Sequence, residues 1–413
     1  MVPAMLRACL VFAILLLFPG RWAAGAEEIA PVLGTWLSNW GLLTFTAAPE
    51  AGEGQVRGRL QQWPGQRGTI TGGTYDAARR RLDLTTVQDW NGLTSTASLT
   101  LAPDGRTLTG TWRNARGTGP YTMRLMFRGA PPRADTHRPR SLPVAAKPRL
   151  EVVPVLFLAR DATWVTPWDI DTYAALLARH VELAQHYYKA QLVTDTFKIA
   201  DAPVVIHRGE KTDAEYLAAL KPEHKGPGEA QMIARELLQA RGEDRYSSNS
   251  VFLIVYVRAR PREEGGGFHG GGRPFNGAPG TGGGSVELEL EWLLNINSGF
   301  QQAVNHELGH AFGLVHPDAY GYDQKNNGSI MSYDDKIGTK GFEPAKGRFN
   351  PEEFAALGRN RRAFPDFRYD PALHNPTGKA FTLKTLPCMT DHIGQRRGFR
   401  PNSCMVWPCP CPP

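Results

Sequence analysis

His306 and His310 stand four residues apart, and Glu307 follows the first of them. Four residues turn an α-helix through about 400°, so both imidazoles leave one face about one turn apart. That spacing lets two nitrogens reach one Zn²⁺ at about 2.0–2.1 Å. Glu307 then sits beside the metal without displacing a ligand and can act as general base toward water. A third ligand cannot come from the same straight helix. His316 lies ten residues beyond His306, where a continuing helix would aim it away. Gly313 resolves this, because glycine accepts φ > 0, ends a helix in a left-handed cap and turns the chain back. Three neutral imidazoles and an open position are the donor set of a catalytic rather than a structural zinc site.

The run His306-Glu307-Leu308-Gly309-His310-Ala311-Phe312-Gly313-Leu314-Val315-His316 resembles the metzincin zinc-binding signature. Ser329-Ile330-Met331-Ser332-Tyr333 resembles the Met-turn of that clan. The resemblance implies that Met331 packs beneath the histidines. It also implies that Tyr333 stabilises the oxyanion of a tetrahedral intermediate, as the corresponding tyrosine does in astacins and serralysins. His316-Pro317 together with Ser-Ile-Met-Ser-Tyr looks most like the serralysins, but the calcium-binding repeats of that family do not follow Tyr333, so calcium is not indicated. No matrixin-like cysteine switch precedes the signature. No single family is assigned. The fold implied for 150–370 is an α+β zincin, metzincin-like, with a twisted mixed sheet and an active-site helix. The activity implied is zinc-dependent endopeptidase, with protein or peptide as substrate. Two alternatives use the same residues: a binding or adhesion protein on a latent zincin scaffold, and a zinc amidase acting on cell-wall amides.

These residues need elements to hold them. The spacing predicts the active-site helix over 298–312 and a further helix over 351–362. Leu177, Val181, Ala184 and Tyr188 form one apolar stripe of a helix over 169–192. A third helix is expected over 229–240. Segments 151–159 and 250–257 read as buried strands, and 196–199 with 204–207 as one interrupted strand. Val286-Glu287-Leu288-Glu289-Leu290-Glu291-Trp292 alternates strictly, as a half-buried strand at a sheet edge would. As the upper rim of the cleft it would bind substrate by strand addition. Glutamates facing that cleft would favour basic substrates. The glycine-rich stretch 265–284 reads as a loop. His180, His186, His207, His269 and His392 lack ligand spacing.

The remainder of the chain reads as separate pieces. Arg7, an apolar run over 9–18 and Ala24-Gly25-Ala26 describe a secretory signal peptide over 1–26. This points to a secreted or periplasmic location with no stable membrane insertion once it is removed. Its removal takes Arg7 and Arg21, and the formal charge falls from +7 to +5. No Lys/Arg cluster with interleaved aromatics is present, so nucleic-acid binding is not read from the chain. Residues 27–129 carry short alternating runs at 42–46, 55–60, 69–75, 81–86 and 95–101, with a hairpin turn at Pro103-Asp104-Gly105. They form a small all-β barrel or sandwich, whose tryptophans Trp36, Trp40, Trp63, Trp90 and Trp112 either fill a core or line a sugar- or peptide-binding face. A proline-rich linker spans 130–149. The tail, 371–413, carries Cys388, Cys404, Cys409 and Cys411. An even cysteine count in an exported chain suggests disulfides, with three pairings open.

Overall fold

The structure is a computed structural model and describes residues 29–128, 149–201, 204–218, 228–260, 270–275, 283–294, 299–323, 327–333 and 346–374. The expected signal peptide, proline-rich linker and cysteine-bearing tail beyond residue 374 lie outside the described residues, as do His269 and His392. Among the described residues no helix is long and apolar enough to cross a membrane.

Eight antiparallel strands open the chain: β1 (Gly34–Ser38), β2 (Gly41–Ala47), β3 (Gln55–Trp63), β4 (Gln66–Asp76), β5 (Arg81–Gln88), β6 (Thr94–Leu101), β7 (Thr107–Asn114) and β8 (Gly117–Phe127). Each pairs with the next, and β1 pairs with β8, so the barrel closes. Alternation along the strands sends Trp36, Leu43, Phe45, Ile70, Leu82, Leu99, Leu108 and Met123 inward, where all are buried. A closed barrel of eight strands is just wide enough for such side chains to fill it. Trp36 therefore plugs the core. Trp40 is partly exposed and meets Trp112 edge-on at 5.0 Å. Trp40 and Trp63 line a shallow surface cleft with Asn39, Gln62, Gln66 and Leu294.

A second sheet of six strands follows. Its members are β9 (Glu151–Leu158), β10 (Lys198–Ile199), β11 (Val205–Arg208), β12 (Ser250–Val257), β13 (Gly271–Pro274) and β14 (Gly284–Glu289). The order is β10-β9-β12-β14-β13, with β11 also on β9. Both β10 and β11 run parallel to β9 on successive stretches of it. β12 is parallel to β9 and β14, whereas β13 is antiparallel to β14. The longer helices are α1 (Pro167–Leu192), α3 (Gly228–Arg241), α5 (Phe300–Ala311) and α6 (Pro351–Arg359), with short turns α2 (Asp213–Leu217), α4 (Leu290–Leu293) and α7 (Pro371–His374). Thr166 and Asp169 close a capping box at the start of α1.

This topology corrects the fold class. A metzincin-like α+β catalytic domain with a minor β accessory was the expectation. Instead a closed eight-stranded antiparallel barrel is the largest strand system, and beside it stands a mixed sheet with few helices. The reason is one of scale. An eleven-residue signature dictates a helix, a cap and a turn, whereas sheet order and barrel closure are set by pairings between residues far apart in sequence.

The edge strand is corrected too. β14 ends at Glu289, Leu290 begins α4, and β13 covers the side that was expected to be open. β13 lies inside the stretch read as a glycine-rich loop. The acidic side of β14 also faces away from α5. Gly284, on the same face as Val286 and Leu288, lies against Ala311 of α5. Glu289 on the other face stands 3.9 Å from Arg258, which binds Glu229 of α3 through two contacts of 2.8 and 3.2 Å. Glu287 shares that environment, and burial raises its carboxyl to about 8. These glutamates are spent on the interior and carry no argument for basic substrates.

The barrel is bound tightly to the second sheet's helices. Leu37 and Leu42, on the outside of the barrel, join the larger core. Gln61 donates to the Tyr173 hydroxyl, and Arg67 bonds both the Trp164 carbonyl and the buried carboxylate of Asp169. Asp169 is fully buried while Arg67 is one-third exposed. Removing the cation would strand a buried charge. Arg67→Ala is expected to cost about 2–4 kcal/mol in denaturant unfolding, while a surface control such as Arg81→Ala stays within about 0.5 kcal/mol.

Candidate metal centre

Helix α5 carries His306, Glu307 and His310. It packs on α1, where Tyr188 donates to the Asn305 carbonyl at 2.9 Å and His180 Nδ1 lies 2.8 Å from Gln301 Oε1. Burial pushes His180 down to about 3, so its ring is a neutral packing element. The helix ends in a Schellman motif. Leu314 N–H donates to the Gly309 carbonyl and Gly313 N–H to that of His310, both at 2.9 Å. Gly313 has φ +98°, a conformation that a side chain resists. Asn360 adds a donor to the orphan Phe312 carbonyl at 3.1 Å. The chain then doubles back and brings His316 to the first two histidines.

The three Nε2 atoms converge. His310 lies 3.1 Å from His306 and 3.1 Å from His316, and His316 lies 3.3 Å from His306. Tetrahedral bonds of about 2.0–2.1 Å require nitrogens roughly 3.3–3.4 Å apart, close to what is observed. Calcium, at 2.3–2.6 Å and with a preference for oxygen, fits neither the spacing nor the donors. The outer nitrogens settle the tautomers. His306 Nδ1 donates to the Ile330 carbonyl and His310 Nδ1 to the Leu314 carbonyl, each at 2.9 Å. A carbonyl can only accept, so both Nδ1 atoms carry protons and both Nε2 atoms present lone pairs. Lone pairs aimed at one another at this range repel unless a cation lies between them. Burial lowers all three imidazoles, His306 to about 3 and His310 to about 4. Neutral imidazole is the ligating form. The cluster His306–His310–His316 can hold a metal ion.

Glu307 is buried beside this cluster. Burial raises its carboxyl to about 7, opposed by a hydrogen bond from the Gly272 backbone N–H. Met331 is wholly buried against Gly309, where a Cβ would sit 2.4 Å from its sulfur. Tyr333 is the most open of these residues, 56% exposed. Its ring centroid lies 4.9 Å from that of His316 and 5.7 Å from that of His306. Burial, then the charge of Glu307, raises its phenol. All seven residues singled out in the sequence, His306, Glu307, His310, Gly313, His316, Met331 and Tyr333, therefore meet at one site. Four contributors were not anticipated: the carbonyls of Ile330 and Leu314, the cap from Asn360, and Gly272. None of the four left a local signal, and the strand that carries Gly272 read as a loop.

No protein-family model matches this chain, and no curated protein matches it.

If a metal is resident, chelation should lower stability, and one ion per chain should restore it. The shift is about 4 kcal/mol when free metal exceeds Kd a thousandfold. Thermal melts with chelator and with metal restored, alongside elemental analysis, check both statements. A stoichiometry near zero with unchanged melts would contradict them.

Proposed function

We propose that this chain is an extracytoplasmic zinc-dependent endopeptidase. The observation that carries the reading is the convergence of three imidazole lone pairs at tetrahedral spacing with a buried carboxylate one residue away on the same helix. Nitrogen donors in a tetrahedral frame suit zinc, and three protein ligands leave a position open. His306, His310 and His316 would hold the ion, whose Lewis acidity supplies polarisation of a carbonyl and acidification of water.

The chain's own residues account for the rest. Glu307 accepts a proton from the attacking water and later delivers one to the leaving amine. Gly272 N–H holds the Glu307 carboxylate in place from the neighbouring strand. Tyr333 stands at the exposed side of the histidines, where its hydroxyl can donate to a developing oxyanion. β13 lies at the end of the sheet order and borders α5, so an extended peptide pairing along it would pass the histidines.

The test is incubation of the purified full chain with an unfolded-protein mixture and quenched peptides, with zinc, with chelator, and with zinc restored. Cleavage that disappears and returns supports the reading. No cleavage with zinc bound at one per chain would overturn it, in favour of a non-peptide amide substrate or a binding role.

A further inference from the structure

The turn that carries Met331 and Tyr333 is tied to an acidic residue twenty-two positions after the Met. Glu353 is the third residue of α6 and completes a capping box with Asn350, whose N–H donates to Glu353 Oε2 at 2.8 Å. A capping carboxylate normally lies in solvent, and this one has no exposed surface. Both of its oxygens also accept from the Ser329 hydroxyl, at 2.7 and 2.8 Å. The Ser329 hydroxyl, its proton given to Glu353, accepts the Met331 N–H at 2.9 Å. The intervening residue, Ile330, is pinned by its N–H to the Arg348 carbonyl at 2.8 Å, and its own carbonyl orients His306. A continuous path of hydrogen bonds and one short peptide segment therefore leads from Glu353 to the first metal-ligating imidazole.

We propose that Glu353 is a positioning residue for the metal centre, acting through Ser329 to fix the turn that seats Met331 and holds the His306 ring. A carboxylate used only to cap α6 would need neither burial nor Ser329. The inference rests on the metal-site reading above, but not on peptide hydrolysis.

The experiment is a cobalt titration of the metal-free full chain, following the ligand-field absorption, for the parent, Ser329→Ala, Glu353→Ala and the double variant. Ser329→Ala leaves the α6 cap intact and cuts only the connection. Outer-shell partners of metal ligands are worth 10- to 100-fold in affinity, so each single variant should weaken cobalt by that factor and alter its spectrum. The double variant should lose little more than the worse single, because the two act in series. Glu353→Gln, which keeps an acceptor for Ser329, should recover most of the loss. Parent-like affinity and spectrum in Ser329→Ala would overturn the inference, even if Glu353→Ala fails to fold. A parent chain that takes up no cobalt would overturn the metal centre itself, and the inference with it.

Discussion

Glu307→Ala is expected to leave one metal ion bound per chain and to lower kcat/KM for peptide cleavage by roughly 10³-fold or more. The two halves of that result have separate causes. The candidate ligands are nitrogens of His306, His310 and His316, two of them fixed by carbonyls of Ile330 and Leu314, and neither of those contacts relies on Glu307. Metal uptake should therefore survive. What disappears is the one carboxylate adjacent to the ligands on α5 and held by Gly272. Burial works against the ionised form of this carboxyl, so the variant should melt no lower than the parent. Glu307→Gln keeps the shape and removes the basicity, and should be nearly as inactive. Cleavage within tenfold of the parent in both variants would remove Glu307 from its role.

Gly272→Ala should be nearly as damaging, although residue 272 binds neither metal nor substrate in this scheme. A Cβ there would lie 1.9 Å from the Glu307 carbonyl oxygen, 2.7 Å from its carbon and 3.0 Å from its Cα. All three are backbone atoms of a packed helix, so no side chain can swing aside. β13 must lift, the Gly272↔Val286 pairing with β14 must stretch, and the N–H that holds Glu307 retreats. Overpacking of this kind costs about 1–3 kcal/mol. A displacement of about 1 Å near the reacting groups can cost on the order of 10²-fold in rate. Gly271→Ala is the matched control, because a Cβ at that position meets nothing within 4 Å. Equal activity and equal melting temperature in the two variants would show that the approach of β13 to α5 has no functional weight.

The difference between Gly271 and Gly272 also marks how far the sequence could be read. The histidine triad was legible because helix periodicity and a glycine cap are local rules, satisfied within eleven residues. The helices near 167–192, 228–241 and 351–359 were legible for the same reason. Barrel closure was not, since the pairing of β1 with β8 joins residues about ninety positions apart and leaves no periodic trace. β13 was hidden because glycine reads as flexibility, whereas here its missing side chain admits a helix backbone. The glutamates of β14 misled because alternation reveals two faces without revealing what covers them. Arg258 and α3 cover the acidic one.

Closure of the barrel bears on how this chain avoids sticking to itself. Eight of its strands close on themselves and present no open edge, so they offer no free ladder for a second molecule to extend. That liability is concentrated at the margins of the other sheet, where β13 is only four residues long, carries Arg273 and ends in Pro274. A short strand with a charge and a residue unable to donate is a poor template for indefinite stacking.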